Sequence, residues 1–229
     1  MSLIKLTEVT KTYFGNPALN KVNLELDAGK IIGLCGPNGS GKTTLIKILV
    51  RLLRDYQGYV QIDGQALNHQ SLASISYLPD QPYFEKQMKG SESIAIFKDV
   101  YPDFDEAVML DLCRKLEVNP EQRFQEMSKG MKEKFQLALV MSRKAKIYLL
   151  DEPIGGVDPA SRDKILNTIL NSYGQDSLLV ISTHLIQDIE TILDEVIFLK
   201  EGSVLLHENC DDLRERTGKS VDGYFREVF

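Results

Sequence analysis

Apolar and polar positions alternate in three early stretches of the chain. Ile4 and Leu6 alternate with polar neighbours, Val22, Leu24 and Leu26 alternate with Asn23, Glu25 and Asp27, and Val60 and Ile62 repeat the pattern. A period of two fits antiparallel strands with one face buried. Ile31–Cys35, Ile147–Leu150 and Leu178–Ile181 are instead unbroken apolar runs, which suit parallel strands covered on both faces. Helical spacing lies between them: Leu45, Ile46, Leu49 and Val50 mark one face, and Ile165, Leu166, Ile169 and Leu170 another. Asp158 and Pro159 open the second helix as N-cap and first-turn residue. From about 82 to 144 the strand signals vanish. Asp103 and Glu106 have the spacing of a capping box before Val108, Leu112 and Leu116, and Phe135, Leu137, Ala138 and Val140 fall in a helix over about 130–143. Tyr224, Phe225, Val228 and Phe229 sit at helical spacing, which predicts a terminal helix packed on the core. The pattern predicts one α/β domain over residues 1–229: a parallel-sheet core, an N-terminal antiparallel β subdomain, and an inserted α-helical subdomain at about 82–144.

The first unbroken run feeds a glycine-rich loop, Gly36-Pro37-Asn38-Gly39-Ser40-Gly41-Lys42-Thr43-Thr44. It fits G-x-x-x-x-G-K-[ST], the phosphate loop of P-loop NTPases. Backbone N–H groups of such a loop converge on phosphate oxygens, and the following helix aims its positive end at the same point. Lys42 is expected to reach the β- and γ-phosphates, and Thr43 to place its hydroxyl on Mg²⁺. The plainer alternative is a glycine-rich turn, but the flanking strand and helix are the context the motif requires.

The run Ile147–Leu150 ends in Asp151 and Glu152. Ligands of open parallel sheets gather at the carboxyl ends of strands. Asp151 is expected beside the Mg²⁺, and Glu152 to orient and deprotonate a water attacking the γ-phosphate. Two acids capping a turn would be the alternative. Ser182-Thr183-His184 follows the next run. His184 is expected to hydrogen-bond the γ-phosphate and the attacking water; the alternative is a surface histidine at a helix start with Ser182 or Thr183 as its cap. His69 and His207 lack such context and read as surface residues.

Composition narrows the field further. With 229 residues, 43% hydrophobic and 26% charged, the chain reads as an ordinary globular protein able to bury a sizeable core. A formal net charge of −6 argues against nucleic acid as the main partner. Cys35, Cys113 and Cys210 are scattered, make no metal spacing, and fit a reducing cytoplasm. No run approaches the ~18 apolar residues of a membrane span, and Lys5 and Glu8 interrupt the start where a secretory signal would lie. Any membrane role is therefore expected to come through a partner.

Met127-Ser128-Lys129-Gly130-Met131 lies between the glycine loop and the Asp-Glu strand. With these motifs in this order, the chain resembles the ATP-binding subunit of an ABC transporter over essentially its whole length. The resemblance implies an ABC ATPase fold, ATP and Mg²⁺ as ligands, and a second ATPase subunit, identical or related. Ser128 and Gly130 would face the γ-phosphate held by that second subunit, with the start of the helix from about 130 pointing at it. Lys129 stands where the family usually has glycine, and Met131 where it usually has glutamine. Tyr13, or its neighbour Phe14, sits where the family stacks an aromatic ring on adenine. Gly155-Gly156-Val157-Asp158 looks like the loop that crosses the dimer interface. In Tyr77-Leu78-Pro79-Asp80-Gln81 the family's glutamine after proline is replaced by Asp80, whose carboxylate is expected to bind a metal-ligated water; Gln81 comes one place later and points elsewhere. An acid here, with the Ser-Lys-Gly-Met signature, resembles a branch of small exporter ATPases whose cargo includes antibiotics, peptides or lipids. The implied function is ATP hydrolysis powering transport through a separate transmembrane permease, at the cytoplasmic face of the membrane and without nucleic acid. The alternative kept open is a soluble ABC-type ATPase, for example in cofactor assembly. A module that only senses nucleotide would not need Glu152 and His184, and a P-loop kinase or GTPase lacks the signature and the Ser-Thr-His ending.

Overall fold

The computed structural model describes residues 1–229, the side chains of residues 159 and 160 excepted. The chain runs β1 (Ser2–Tyr13), β2 (Asn16–Asp27), β3 (Ile31–Cys35), α1 (Lys42–Leu49), β4 (Gln57–Ile62), β5 (Gln65–Ala66), β6 (Ile75–Leu78), α2 (Gly90–Val100), α3 (Glu106–Lys115), α4 (Lys129–Met141), β7 (Ile147–Asp151), α5 (Pro159–Ser172), β8 (Leu178–Thr183), α6 (Ile186–Ile189), β9 (Glu195–Lys200), β10 (Ser203–Asn209), α7 (Cys210–Thr217) and α8 (Val221–Val228). The alternating stretches form an antiparallel sheet in the order β2-β1-β4-β5. The unbroken runs form a second sheet, β10-β9-β3-β8-β7-β6, parallel throughout except for β10.

Why the runs are unbroken is visible in the packing. Successive side chains of a strand face opposite ways, and here both ways lead into a core. Ile32, Leu34, Leu149 and Val180 join the cluster beneath α1 and the antiparallel sheet. Ile31, Cys35, Leu150 and Ile181 join the other, with α4, α5 and the C-terminal helices. The last of these, α8, packs as its spacing predicts: Phe198 on β9 meets the Phe225 and Phe229 rings edge-on at 5.2 and 5.9 Å.

Helices α2, α3 and α4 follow one another between β6 and β7. One local expectation fails here. The box of Asp103 and Glu106 does not form, because α3 begins at Glu106 and its cap is Asp105, whose side chain accepts the N–H groups of Ala107 and Val108. Asp103 is drawn instead to the buried guanidinium of Arg143, 3.0 Å from both Nε and Nη2. Two bonds to a guanidinium outweigh the single carboxylate-to-N–H bond of a helix cap. Arg143 also donates to the Ile75 and Ala73 carbonyls, tying the end of α4 to the start of β6. Asp158 caps α5 as expected, accepting from Ser161 N–H at 3.1 Å; the Pro159 side chain lies outside the described residues.

Candidate functional site

Strand order decides where the motifs meet. β3 lies between β9 and β8, and β8 lies beside β7. Their carboxyl ends therefore emerge together, as ligand sites in parallel sheets do. The loop after β3, the Asp-Glu pair after β7 and the histidine after β8 become neighbours across more than a hundred residues of chain. Between them lies a cleft of about 420 Å³. Residues 38–44, Asp80, Gln81, Asp151, Glu152 and His184 all line it.

The loop is shaped by what its backbone must avoid. Gly41 has φ +111°, and a Cβ there would meet the Ala18 carbonyl at 2.5 Å. Only glycine fits both conditions. Gly36 and Pro37 are not part of the cleft wall. Their carbonyls accept the buried Lys42 ammonium at 2.7 and 3.3 Å. Lys42 Nζ also stands 3.7 Å from Glu152 Oε1.

Glu152 in turn is gripped by His184, whose Nδ1 lies 3.1 Å from Oε1 and 3.0 Å from Oε2. A carboxylate accepts only, so Nδ1 carries the proton and Nε2 is not used by this pair. Lys42, Glu152 and His184 thus form a continuous chain along the cleft. Asp151 is 1% exposed, and one of its oxygens, Oδ2, has no hydrogen-bond partner among the described residues. Burial pushes its carboxyl above the usual range, opposed by the Ser182 hydroxyl bond and the nearby Thr43 hydroxyl, with Asp80 and Glu152 pushing the same way as burial. A buried, unpartnered carboxylate oxygen beside a threonine hydroxyl is a good fit for a divalent cation, which would supply the missing partner.

Some predicted residues lie apart. Tyr13 is 39% exposed at the tip of the β1–β2 hairpin, with Lys11 Nζ 4.7 Å from its ring centroid. Phe14, at φ +50°, is fully exposed. Ser128 is exposed and does cap α4, accepting from Met131 N–H at 3.2 Å. Neither Ser128 nor Gly130 lines the cleft, although Lys129, Glu133 and Gln136 from the same helix do.

Three contributors were not legible beforehand. Gln136 is buried in α4 and donates to the Pro79 carbonyl at 3.1 Å, leaving its Oε1 without a partner. Glu133 also keeps one unpartnered oxygen. Ser182 binds the Asp-Glu pair directly. Gln136 was hidden as one polar position within an apolar helical stretch. Ser182 was visible only as a possible cap, but α6 has no side-chain cap: its N-cap is Leu185, and Thr183 accepts the Leu185 N–H at 2.9 Å in the turn before it.

Comparison with known proteins bears on the family and the fold. The family model described as ABC transporter matches residues 19–155. The ABC transporter ATP-binding protein YtrB of Bacillus subtilis is 29% identical over 216 residues, covering 93% of this chain and 74% of that protein. The lantibiotic transport ATP-binding protein SrtF of Streptococcus pyogenes is 27% identical over 211 residues, 91% of this chain and 92% of that one. The solved structure of an ATP-binding subunit of an ABC transporter superposes with a TM-score of 0.88 at 24% identity, covering 99% of each chain.

Proposed function

Because the chain belongs to the ABC transporter family, we propose that it is the ATP-binding and ATP-hydrolysing subunit of a transport system, working in pairs and driving a separate membrane permease. One observation carries the pairing. The phosphate loop, Asp151, Glu152 and His184 share a cleft, while Ser128 and Gly130 stay outside it. A Cβ on Gly130 would meet nothing within 4 Å, and its φ is not positive. Neither crowding nor strain within this chain calls for glycine there. A phosphate brought by a second chain to the start of α4 does, since it needs close approach to backbone N–H groups.

In this reading residues 36–44 cradle the triphosphate, and Lys42 exchanges the Gly36 and Pro37 carbonyls for β- and γ-phosphate oxygens. Thr43 and Asp151 would hold Mg²⁺, with Asp80 supporting it from the facing loop; the ion would neutralise charge on the phosphates. Among the described residues no cluster of three or more His, Cys, Asp or Glu could hold a metal. Mg²⁺ bound mostly through phosphate needs none. Glu152 orients the attacking water and takes its proton. His184, fixed through Nδ1, turns Nε2 toward the γ-phosphate. Tyr13 covers the adenine, and Ser128 and Gly130 of the second copy close the site. Cleavage removes the γ-phosphate charge and loosens the pair.

A second groove of about 690 Å³, lined by Leu52, Leu72, Tyr83, Phe97 and Tyr101, also reaches Asp80 and Gln81. A permease segment seated there would feel the phosphate cleft through the same loop, with residues 82–144 acting as the helical subdomain that moves. No helix among the described residues is long and apolar enough to cross a membrane, so attachment to the cytoplasmic face runs through the permease. The Asp80 and Ser128–Met131 pattern favours the exporter-type branch, whose cargo class is antibiotic, peptide or lipid.

The test is capture of the chain from native membranes together with an assay of phosphate release. A multi-span protein should co-purify, and ATP should be cleaved. No phosphate release from ATP would refute the enzymatic reading, and a soluble partner alone would refute transport.

A further inference from the structure

Ser182 is the penultimate residue of β8, fully buried, and faces Asp151 in the parallel pairing. Its hydroxyl donates to Asp151 Oδ1. Ser182 Oγ also accepts the backbone N–H of Glu152 at 3.2 Å, and the Ser182 carbonyl shares that N–H at 3.0 Å. Two consequences follow. Asp151 cannot rotate freely, because Oδ1 is taken; Oδ2 is the oxygen left buried without a partner. Glu152 is anchored at φ +51°, a left-handed conformation that a non-glycine residue keeps only when its surroundings hold it there. Its carboxylate then falls between Lys42 and His184.

A buried serine at a strand end needs one partner to be satisfied. Ser182 has two, on consecutive residues, and those are the two acids of the cleft. Helix capping does not explain it, since α6 begins at Ile186 with Leu185 as its N-cap and takes no side-chain cap.

We infer that Ser182 is a positioning residue for both acids: its one hydroxyl sets which oxygen of Asp151 is offered to the cation and, through the Glu152 amide, where the Glu152 carboxylate stands. This rests on the functional reading above, so the test separates the two.

Mn²⁺ affinity of the ATP complex is read by electron paramagnetic resonance, and ATP affinity without metal is read in EDTA. Ser182→Ala should weaken Mn²⁺ binding roughly 10- to 100-fold, the size of a hydrogen bond to a charged group. Its metal-free ATP affinity should stay within about twofold of wild type, since no phosphate contact is touched. Ser182→Cys, close in volume but a weak donor, should reproduce the loss, and it replaces the alanine variant if that does not fold. Ser182→Thr keeps the hydroxyl and should restore Mn²⁺ affinity. Unchanged Mn²⁺ binding in the alanine or cysteine variant would overturn the inference. So would an equal loss with and without metal, or a threonine variant that melts like wild type yet binds Mn²⁺ no better than alanine. A wild-type protein that binds no ATP would instead undo the functional reading itself, and the inference with it.

Discussion

Glu152→Gln is the sharpest perturbation available, because the proposed mechanism gives the carboxylate two opposing jobs. As the group that takes a proton from water, it should contribute at least ~10²-fold to turnover, or about 2.7 kcal/mol of barrier. Before ATP arrives, the same carboxylate holds Lys42 at 3.7 Å, with side-chain exposures of 13% and 7%. At that distance and an effective dielectric of 20, the gross attraction is about 4–5 kcal/mol. Desolvation offsets most of it. Even a residue of ~1 kcal/mol is about fivefold in the affinity of the triphosphate that must recruit Lys42. The amide is nearly isosteric and can still accept from His184 Nδ1, so the cleft keeps its shape. The variant should therefore hydrolyse at least ~10²-fold more slowly while binding ATP as tightly as wild type or a few-fold tighter. Uncut ATP should also keep two copies together. Single-turnover phosphate release, a nucleotide titration and size-exclusion with ATP read the three quantities. Wild-type turnover would remove Glu152 from its role, and a tenfold loss of ATP affinity would refute the competition with Lys42.

The remaining expectations concern single sites. Lys42→Ala should abolish tight ATP binding, and an unchanged titration would contradict the phosphate-loop assignment. Asp80→Ala should lower Mg²⁺-dependent turnover by about tenfold, the low end for loss of a charged contact, whereas Gln81→Ala should not; equal effects would refute the choice of Asp80 over Gln81. Arg143→Ala leaves Asp103 and two carbonyls unanswered and should cost roughly 3–5 kcal/mol in urea unfolding, as breaking a buried pair does; a loss below ~1 kcal/mol would show that water replaces the guanidinium. Asp105 has its carboxyl held below the usual range by the Val108 N–H, with Lys144 and the Ala107 N–H acting in the same direction. A depressed folded value means that its stabilising effect is complete above about pH 4 and drains as the pH falls. Asp105→Asn should flatten that acid limb in a melt series, and an unaltered pH profile would argue against the cap.

Much of the architecture follows from local spacing. The three unbroken runs announce strands with two covered faces, and β3, β7 and β8 are such strands because α/β packing leaves them no wet side. Likewise Gly36–Thr44 announces a phosphate loop, since the required backbone turns and the lysine lie within a few residues of one another. β6 and β10 carried no such mark. They are the sheet margins, where short strands mix polar and apolar residues and imitate loops; β9 carries an unbroken apolar run of its own, Val196–Leu199.

Tertiary structure alone decided which runs stand side by side. Ile31–Cys35, Ile147–Leu150 and Leu178–Ile181 are equally apolar, so nothing in their composition says that β8 lies between β3 and β7. That order places Ser182 against Asp151, His184 against Glu152, and Lys42 against Glu152. It also draws Asp103 away from its helix and Gln136 onto Pro79. Periodicity records which face a residue buries, because that depends on its own backbone. It cannot record the neighbour across that face, which depends on how distant segments share the space between them.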